Sequence, residues 1–183
     1  RGLDLRPQLD LVPLGPDPWS GYQEFYHPWS GAEGAPWVER TPQGLRRMEG
    51  SGLVFVLLPK GTFTMGHQSS NRAAPHFAED ASPLAPPHEV TLEAYFISKY
   101  EMTQAQWFEA TGEFPSGAVI GRRCRHGLVT AQHPVECVTA DECELVLGRL
   151  GLQLPTEAQW EYAASGAAKT RFWWGSEVKD ADM

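Results

Sequence analysis

Three cysteines and several histidines carry the side chains best suited to metal or thiol chemistry. Cys124, His126, His133, Cys137 and Cys143 fall within twenty residues of one another, in the order C-x-H-x6-H-x3-C-x5-C. Thiolates and imidazoles in this mixture suit tetrahedral zinc. The spacing matches no recognised zinc pattern, however, and a buried cysteine ordinarily serves as a small hydrophobe. Cys143 reads as a packing residue at a helix start, and His133, just before Pro134, as a structural residue at the start of a strand. A second set, His67, His76 and His88 with Glu79, Asp80 and Glu89, flanks a long loop. It has no supporting spacing and reads as solvated loop. The chain contains no glycine-rich phosphate loop, no His-Glu-x-x-His and no Gly-x-Ser-x-Gly.

Tryptophans are the other candidates. Trp19, Trp29 and Trp37 lie in a Pro/Gly/Trp-rich segment where Pro-Trp-Ser-Gly occurs at 18–21 and again at 28–31. Burial against the domain is the first reading, because tryptophans are large apolar anchors; a stacking platform for sugar or peptide is the second. Trp173 and Trp174 are adjacent, so both cannot point inward along an extended segment, and they are candidates for a surface groove. A partner-binding surface is therefore assigned to Trp173, Trp174, Trp19 and Trp29, and no catalytic, cofactor-binding or metal-ligating residue is assigned.

The elements that position these residues follow from local pattern. Residues 1–50 read as an aromatic extension of short strands and loops, and 51–183 as the main domain. Leu53–Leu58 is a buried-strand pattern, Pro59-Lys60-Gly61 a turn, and Thr62–Met65 a return strand. Residues 67–87 form a long proline-bearing loop, and His88–Tyr95 and Phe96–Tyr100 are strand material. Three helix starts then share one design. Thr103, Thr139 and Thr156 stand at N-caps with Gln106, Glu142 and Gln159 at N3, each pair a capping box. Apolar residues on either side supply a hydrophobic staple, and Gly112, Gly151 and Gly166 stand at the stops. The expected helices are 104–111, 140–150 and 157–165, in an α+β arrangement rather than a βαβ alternation.

Composition narrows the function classes. The formal charge of −8 excludes sequence-independent nucleic-acid binding, which requires a basic surface. The longest apolar run, Leu53–Leu58, is too short to span a membrane. Three sparse cysteines form no disulfide framework and lean toward a reducing, cytoplasmic compartment. Arg1 stands first, so the sequence says nothing about an export signal.

Five motifs in order, from Leu58-Pro59-Lys60-Gly61-Thr62-Phe63-Thr64-Met65-Gly66 and His88-Glu89-Val90-Thr91-Leu92, through Ile97–Thr103 and His133-Pro134-Val135, to Leu154-Pro155-Thr156-Glu157-Ala158-Gln159-Trp160-Glu161-Tyr162, resemble one family. It is the formylglycine-generating enzyme, or sulfatase-modifying factor, family, and Trp174-Gly175 continues the likeness. The resemblance implies a C-type-lectin-like α+β fold with little regular secondary structure, incomplete in this chain. It also implies that most motif residues are scaffold, with Trp107, Trp160 and Tyr162 in the core. The family's copper-dependent oxidation of a target cysteine depends on a cysteine pair late in the domain, and its calcium segment begins just past the position of Met183. Copper or calcium is thus expected only in a C-terminal part beyond this chain. Cys124, Cys137 and Cys143 match no catalytic position. A cysteine common in relatives aligns with Leu147, a following tryptophan with Arg149, and a helix-start aromatic with Ala140.

These departures suggest a diverged member: a non-catalytic protein- or peptide-binding or regulatory module of a larger bacterial protein. Part of a copper-dependent oxidase with its cysteines beyond Met183, and a proteolytic product, are the alternatives. The C-terminal remainder of the domain is an expected partner, needed to cover the apolar faces of Leu53–Leu58 and the helices. Light scattering and hydrogen exchange on the isolated chain test this expectation; a compact, fully protected monomer contradicts it.

Overall fold

A computed structural model describes residues 10–34, 38–74, 76–79, 86–124 and 127–166. The chain divides into two compact units, residues 1–57 with 96–154, and residues 58–95 with 155–183. In chain order the strands are β1 (Val12–Pro16), β2 (Gln23–His27), β3 (Glu39–Thr41), β4 (Gly44–Arg46) and β5 (Leu53–Leu58). They continue with β6 (Gly61–Met65), β7 (His88–Leu92), β8 (Tyr95–Ser98), β9 (Arg123–Cys124) and β10 (Gly127–Leu128). The helices are α1 (Gln104–Thr111), α2 (Ala140–Arg149) and α3 (Glu157–Ser165). The mixture of helices and mainly antiparallel strands is α+β.

The first unit is built on a four-stranded sheet of order β1-β2-β5-β8. Apolar on both faces, β5 takes an inner position, and Leu53, Val54, Phe55 and Leu57 are buried. On one side β2 runs antiparallel to it, pairing Glu24 with Val56 and His27 with Leu53. On the other lies β8, beyond whose end Lys99 N donates to Val54 O at 2.8 Å. Two expectations are corrected here. The return strand does not pair with β5, because both edges of β5 are already occupied; β6 pairs with β7 instead, from Gly61–Leu92 to Met65–His88. Nor is the apolar run of β5 left uncovered, since Leu53, Val54, Phe55 and Leu57 are buried within the chain itself, and β2, from the segment read as an extension, pairs along one edge. The sheet crosses the compositional boundary at residue 50.

The two Pro-Trp-Ser-Gly copies bracket β2 and both make turns. In the first, Asp17 Oδ1 accepts from Trp19 N, Ser20 N and Ser20 Oγ at 3.1, 2.8 and 2.9 Å. In the second, Pro28–Ser30 forms a 3-10 turn whose Ser30 Oγ donates to His27 O at 2.9 Å and accepts from Leu53 N at 2.7 Å. That hydroxyl thereby ties the end of β2 to the start of β5.

All three capping boxes are formed, each with reciprocal bonds between the N-cap Thr and the N3 side chain. Gly112 and Gly166 close α1 and α3 in the left-handed conformation, while α2 ends one residue earlier than expected. Helix α1 carries Trp107 into the core, as expected, and Gln106 Nε2 donates to Ser51 O at 2.9 Å.

In the second unit α3 lies on the β6–β7 hairpin. Tyr162 packs edge-on against Phe63 at 5.2 Å, and Glu161 Oε1 accepts from Gly66 N at 2.7 Å. Tyr95 donates its hydroxyl to Gln159 O at 2.6 Å; burial, and then the nearby Tyr162, push its pKa up to about 12. Trp160, read from sequence as a core residue, is 62% exposed. The reason is helical geometry. Residues two apart lie about 200° apart around a helix, so turning Tyr162 toward the hairpin turns Trp160 away.

Two glycines separate close packing from simple propensity. A Cβ on Gly52 would lie 2.2 Å from His27 O, whereas one on Gly148, within α2, would meet nothing within 4 Å. Gly52→Ala is therefore expected to destabilise by about 3 kcal/mol or more, and Gly148→Ala to stabilise by about 0.5–1 kcal/mol. Urea unfolding midpoints of the two variants check this; equal and small effects contradict the packing described.

Candidate functional site

Residues distant in sequence converge at the turn end of the β1–β2 hairpin. Lys99, just past β8, places its ammonium 2.7 Å from Asp17 Oδ2 and 2.6 Å from Glu24 Oε1. Arg40, from β3, reaches Glu24 Oε2 at 2.9 Å. Glu24 has a fully buried side chain (0% exposed), so its two cations are what make an ionised carboxylate tolerable there. The same guanidinium donates to the carbonyls of Leu14, Gly15 and Pro16 at 3.0, 3.2 and 2.8 Å. Lys99 and then the Ser20 backbone N–H hold the Asp17 carboxyl well below the usual range. Burial works against the Lys99 ammonium, but its bonds to Asp17 and Glu24 outweigh it and raise the pKa above 10.5.

This network positions an aromatic. Asp17 builds the turn that carries Trp19, whose indole Nε1 donates to Gln43 O at 3.2 Å in the β3–β4 turn. The ring itself is 81% exposed. Trp29, in the turn at the far end of β2, donates its indole Nε1 to Asp10 Oδ1 at 3.0 Å and is 72% exposed. The expectation that these tryptophans bury is thus corrected: each has its polar edge tied and its ring in solvent. They are not brought together either, because a five-residue strand separates their turns by on the order of 15 Å. Trp37, Trp173 and Trp174 lie outside the described residues.

The thiol–imidazole set is dispersed in role. Cys124 is exposed on β9, and His126 lies outside the described residues. His133 Nδ1 accepts from Thr130 N at 3.0 Å and so serves its own turn. Cys137, exposed with φ 60°, donates its thiol to Glu136 Oε2 at 2.5 Å, which heads the causes that lower the Glu136 pKa. Cys143 is half-buried on α2, and burial raises its pKa. His67 and His76 place their rings 6.5 Å apart beside the long loop, and His88 bonds Pro86 O at 2.9 Å. Among the described residues no group of three or more His, Cys, Asp or Glu is arranged to hold a metal. None of the described helices is long and apolar enough to cross a membrane.

The ionic network escaped the sequence reading. One signal was present: strand alternation places Glu24 on the same face as Tyr26, a buried face for a charged residue. Its partners lie too far along the chain to be found by spacing.

With this scaffold in view, comparison with known proteins places the chain. Residues 42–183 match the sulfatase-modifying factor enzyme 1-like domain. The chain belongs to this family. The formylglycine-generating enzyme of Mycobacterium tuberculosis is 27% identical over 180 residues, covering 70% of this chain and 57% of that protein. Hercynine oxygenase of Mycolicibacterium smegmatis is 27% identical over 159 residues, covering 70% and 36%. Chaperone protein LppX of Paenibacillus barcinonensis is 31% identical over 112 residues, covering 45% and 40%. The chain therefore spans from about a third to a little over half of the length of these relatives.

Lys99→Met leaves two acidic side chains short of a cation. It is expected to lower stability near neutral pH by on the order of 3 kcal/mol. The raised Lys99 pKa contributes stability that is present below pH 10.5 and lost as pH rises through its folded value. The variant should therefore lack that alkaline loss. Thermal unfolding of both proteins from neutral to alkaline pH measures it; parallel curves contradict the assignment.

Proposed function

We propose that this chain is part of a formylglycine-generating-enzyme-like domain of C-type-lectin-like fold that acts as a non-catalytic binding module for protein or peptide. The observation that carries the reading is the state of Trp19 and Trp29. Each ring is mostly in solvent while its indole N–H is held by a hydrogen bond. A large aromatic restrained before binding loses little conformational freedom when a partner covers it, and such residues are enriched where proteins meet. Because the two rings stand at opposite ends of β2, they serve as two separate anchors rather than one platform. An extended peptide of five or six residues spans about the same distance.

A second reading has its own support, in the relatives named formylglycine-generating enzyme and hercynine oxygenase. On that reading the chain is the scaffold portion of an oxidising enzyme acting on a target thiol. Cys124, Cys137 and Cys143 do not fit a copper centre: they stand on separate elements, with one bonded to Glu136 and one half-buried on a helix. No step of that chemistry is assigned to them. Formylglycine produced from a cysteine-bearing peptide by the protein with copper and oxygen, read by mass spectrometry, would move the chain to this class.

The binding reading is tested by selecting a displayed peptide library on the immobilised chain and titrating the recovered peptides. Trp19→Ala or Trp29→Ala should weaken them by about tenfold or more, the loss expected of an aromatic anchor. Recovered peptides that bind the double variant as well as the parent overturn it.

A further inference from the structure

His27 ends β2 with its side chain sealed in: it is 1% exposed, and its Nδ1 has no hydrogen-bond partner. Around it lie apolar and neutral groups. Leu53 stands opposite in the ladder, and the Phe55 ring packs edge-on at 6.2 Å. Gly52 presses against the His27 carbonyl, and Ser30 Oγ bonds that same carbonyl. Neither β1 nor β5 carries a titratable side chain. Helix α1, which packs on the Pro28–Ser30 turn, carries only Glu109, which is exposed. Glu24, on the same strand as His27, is held by Lys99 and Arg40. The charge that acts on His27 is the carboxylate of Asp10, and that carboxylate accepts the indole bond of Trp29.

We propose that His27 is an acid-sensitive latch on Trp29: protonation of the buried imidazole draws the Asp10 carboxylate to the new cation and releases the Trp29 indole. A buried imidazolium beside Phe55 must find a counter-charge or open the end of the hairpin. Asp10 is the carboxylate within electrostatic reach, and the imidazolium, a charged donor, competes for it with the neutral indole of Trp29. Burial lowers the His27 pKa below its ordinary 6.5, partly opposed by Asp10. The stabilising contribution of neutral His27 is thus present above pH 6.5 and lost as pH falls through the folded value. The consequence for partner capture rests on the binding role proposed for Trp29; the latch itself needs no partner and is tested without one.

The test is nitrogen-15 indole NMR of the whole chain, each tryptophan Nε1–H assigned by substitution, from neutral pH to the onset of acid unfolding. The bonded Trp29 signal should be lost with a midpoint below 6.5 while the rest of the fold persists, and the Trp19 signal, whose partner is a backbone carbonyl, should not move. His27→Phe and His27→Asn should abolish the transition. If neither folds by circular dichroism, Asp10→Asn serves instead: its amide oxygen still accepts the indole bond but carries no charge, so the midpoint should move to lower pH. A Trp29 signal that persists until global unfolding, one that responds equally in the His27 variants, or a midpoint unchanged by Asp10→Asn overturns the latch. Peptides that fail to bind Trp29 at any pH would overturn the binding role alone.

Discussion

The first unit depends on a single ammonium group. Lys99 follows β8, yet its partners belong to the hairpin turn and to β2, so one side chain joins the two ends of the sheet order. The arrangement is mutually obligatory. Glu24 can be buried because Lys99 and Arg40 are there, and Lys99 stays charged despite burial because the two carboxylates are. Apolar packing of β5 supplies the bulk of the core, but packing alone does not specify which strands flank it. The charge pairing does, since a register slip of one residue would turn Glu24 to the other face and strand it from both cations.

Legibility in the sequence tracked the distance over which each interaction acts. The capping boxes at Thr103, Thr139 and Thr156 span three residues, and the expected helices coincide with the observed ones to within a residue. The strands at Leu53–Leu58 and Thr62–Met65 were equally clear from pattern and turn residues, whereas β1, β3, β4, β9 and β10 had no positions assigned and β7 ends three residues earlier than expected, at Leu92. Strand partners were not clear: β6 looked like the return of β5 because they are adjacent, and only the occupation of both β5 edges redirected it. The Lys99 cluster joins residues 75 and 82 positions apart, beyond any local pattern. Trp160 was misplaced for a different reason. Treating it and Tyr162 as one core group overlooked that helical residues two apart cannot share a face.

Trp19 and Trp29 show how one short motif can present a side chain without burying it. In Pro-Trp-Ser-Gly the serine and its preceding residue tie the turn together from within, through Asp17 in one copy and the His27 carbonyl in the other. The tryptophan side chain between takes no part in the turn's own bonding and projects outward. Family membership is consistent with a domain whose irregular loops do the presenting and whose sheet does the holding, though the relatives' activities belong to proteins that extend well beyond this chain's span.

The position of Arg40 has a consequence for solubility. Strand β1 is an outer strand of its sheet, and such a rim ordinarily offers unsatisfied acceptors to any passing extended chain. Pro13 and Pro16 remove two donors from it, and the bulge at Gly15, with φ 91°, breaks the alternation of its carbonyls. Three successive carbonyls then converge on one guanidinium. An incoming chain would have to displace a planar cation already committed to those oxygens and to Glu24. The sheet thus terminates itself chemically, and the residue that neutralises its interior is the same one that prevents it from seeding growth along this edge.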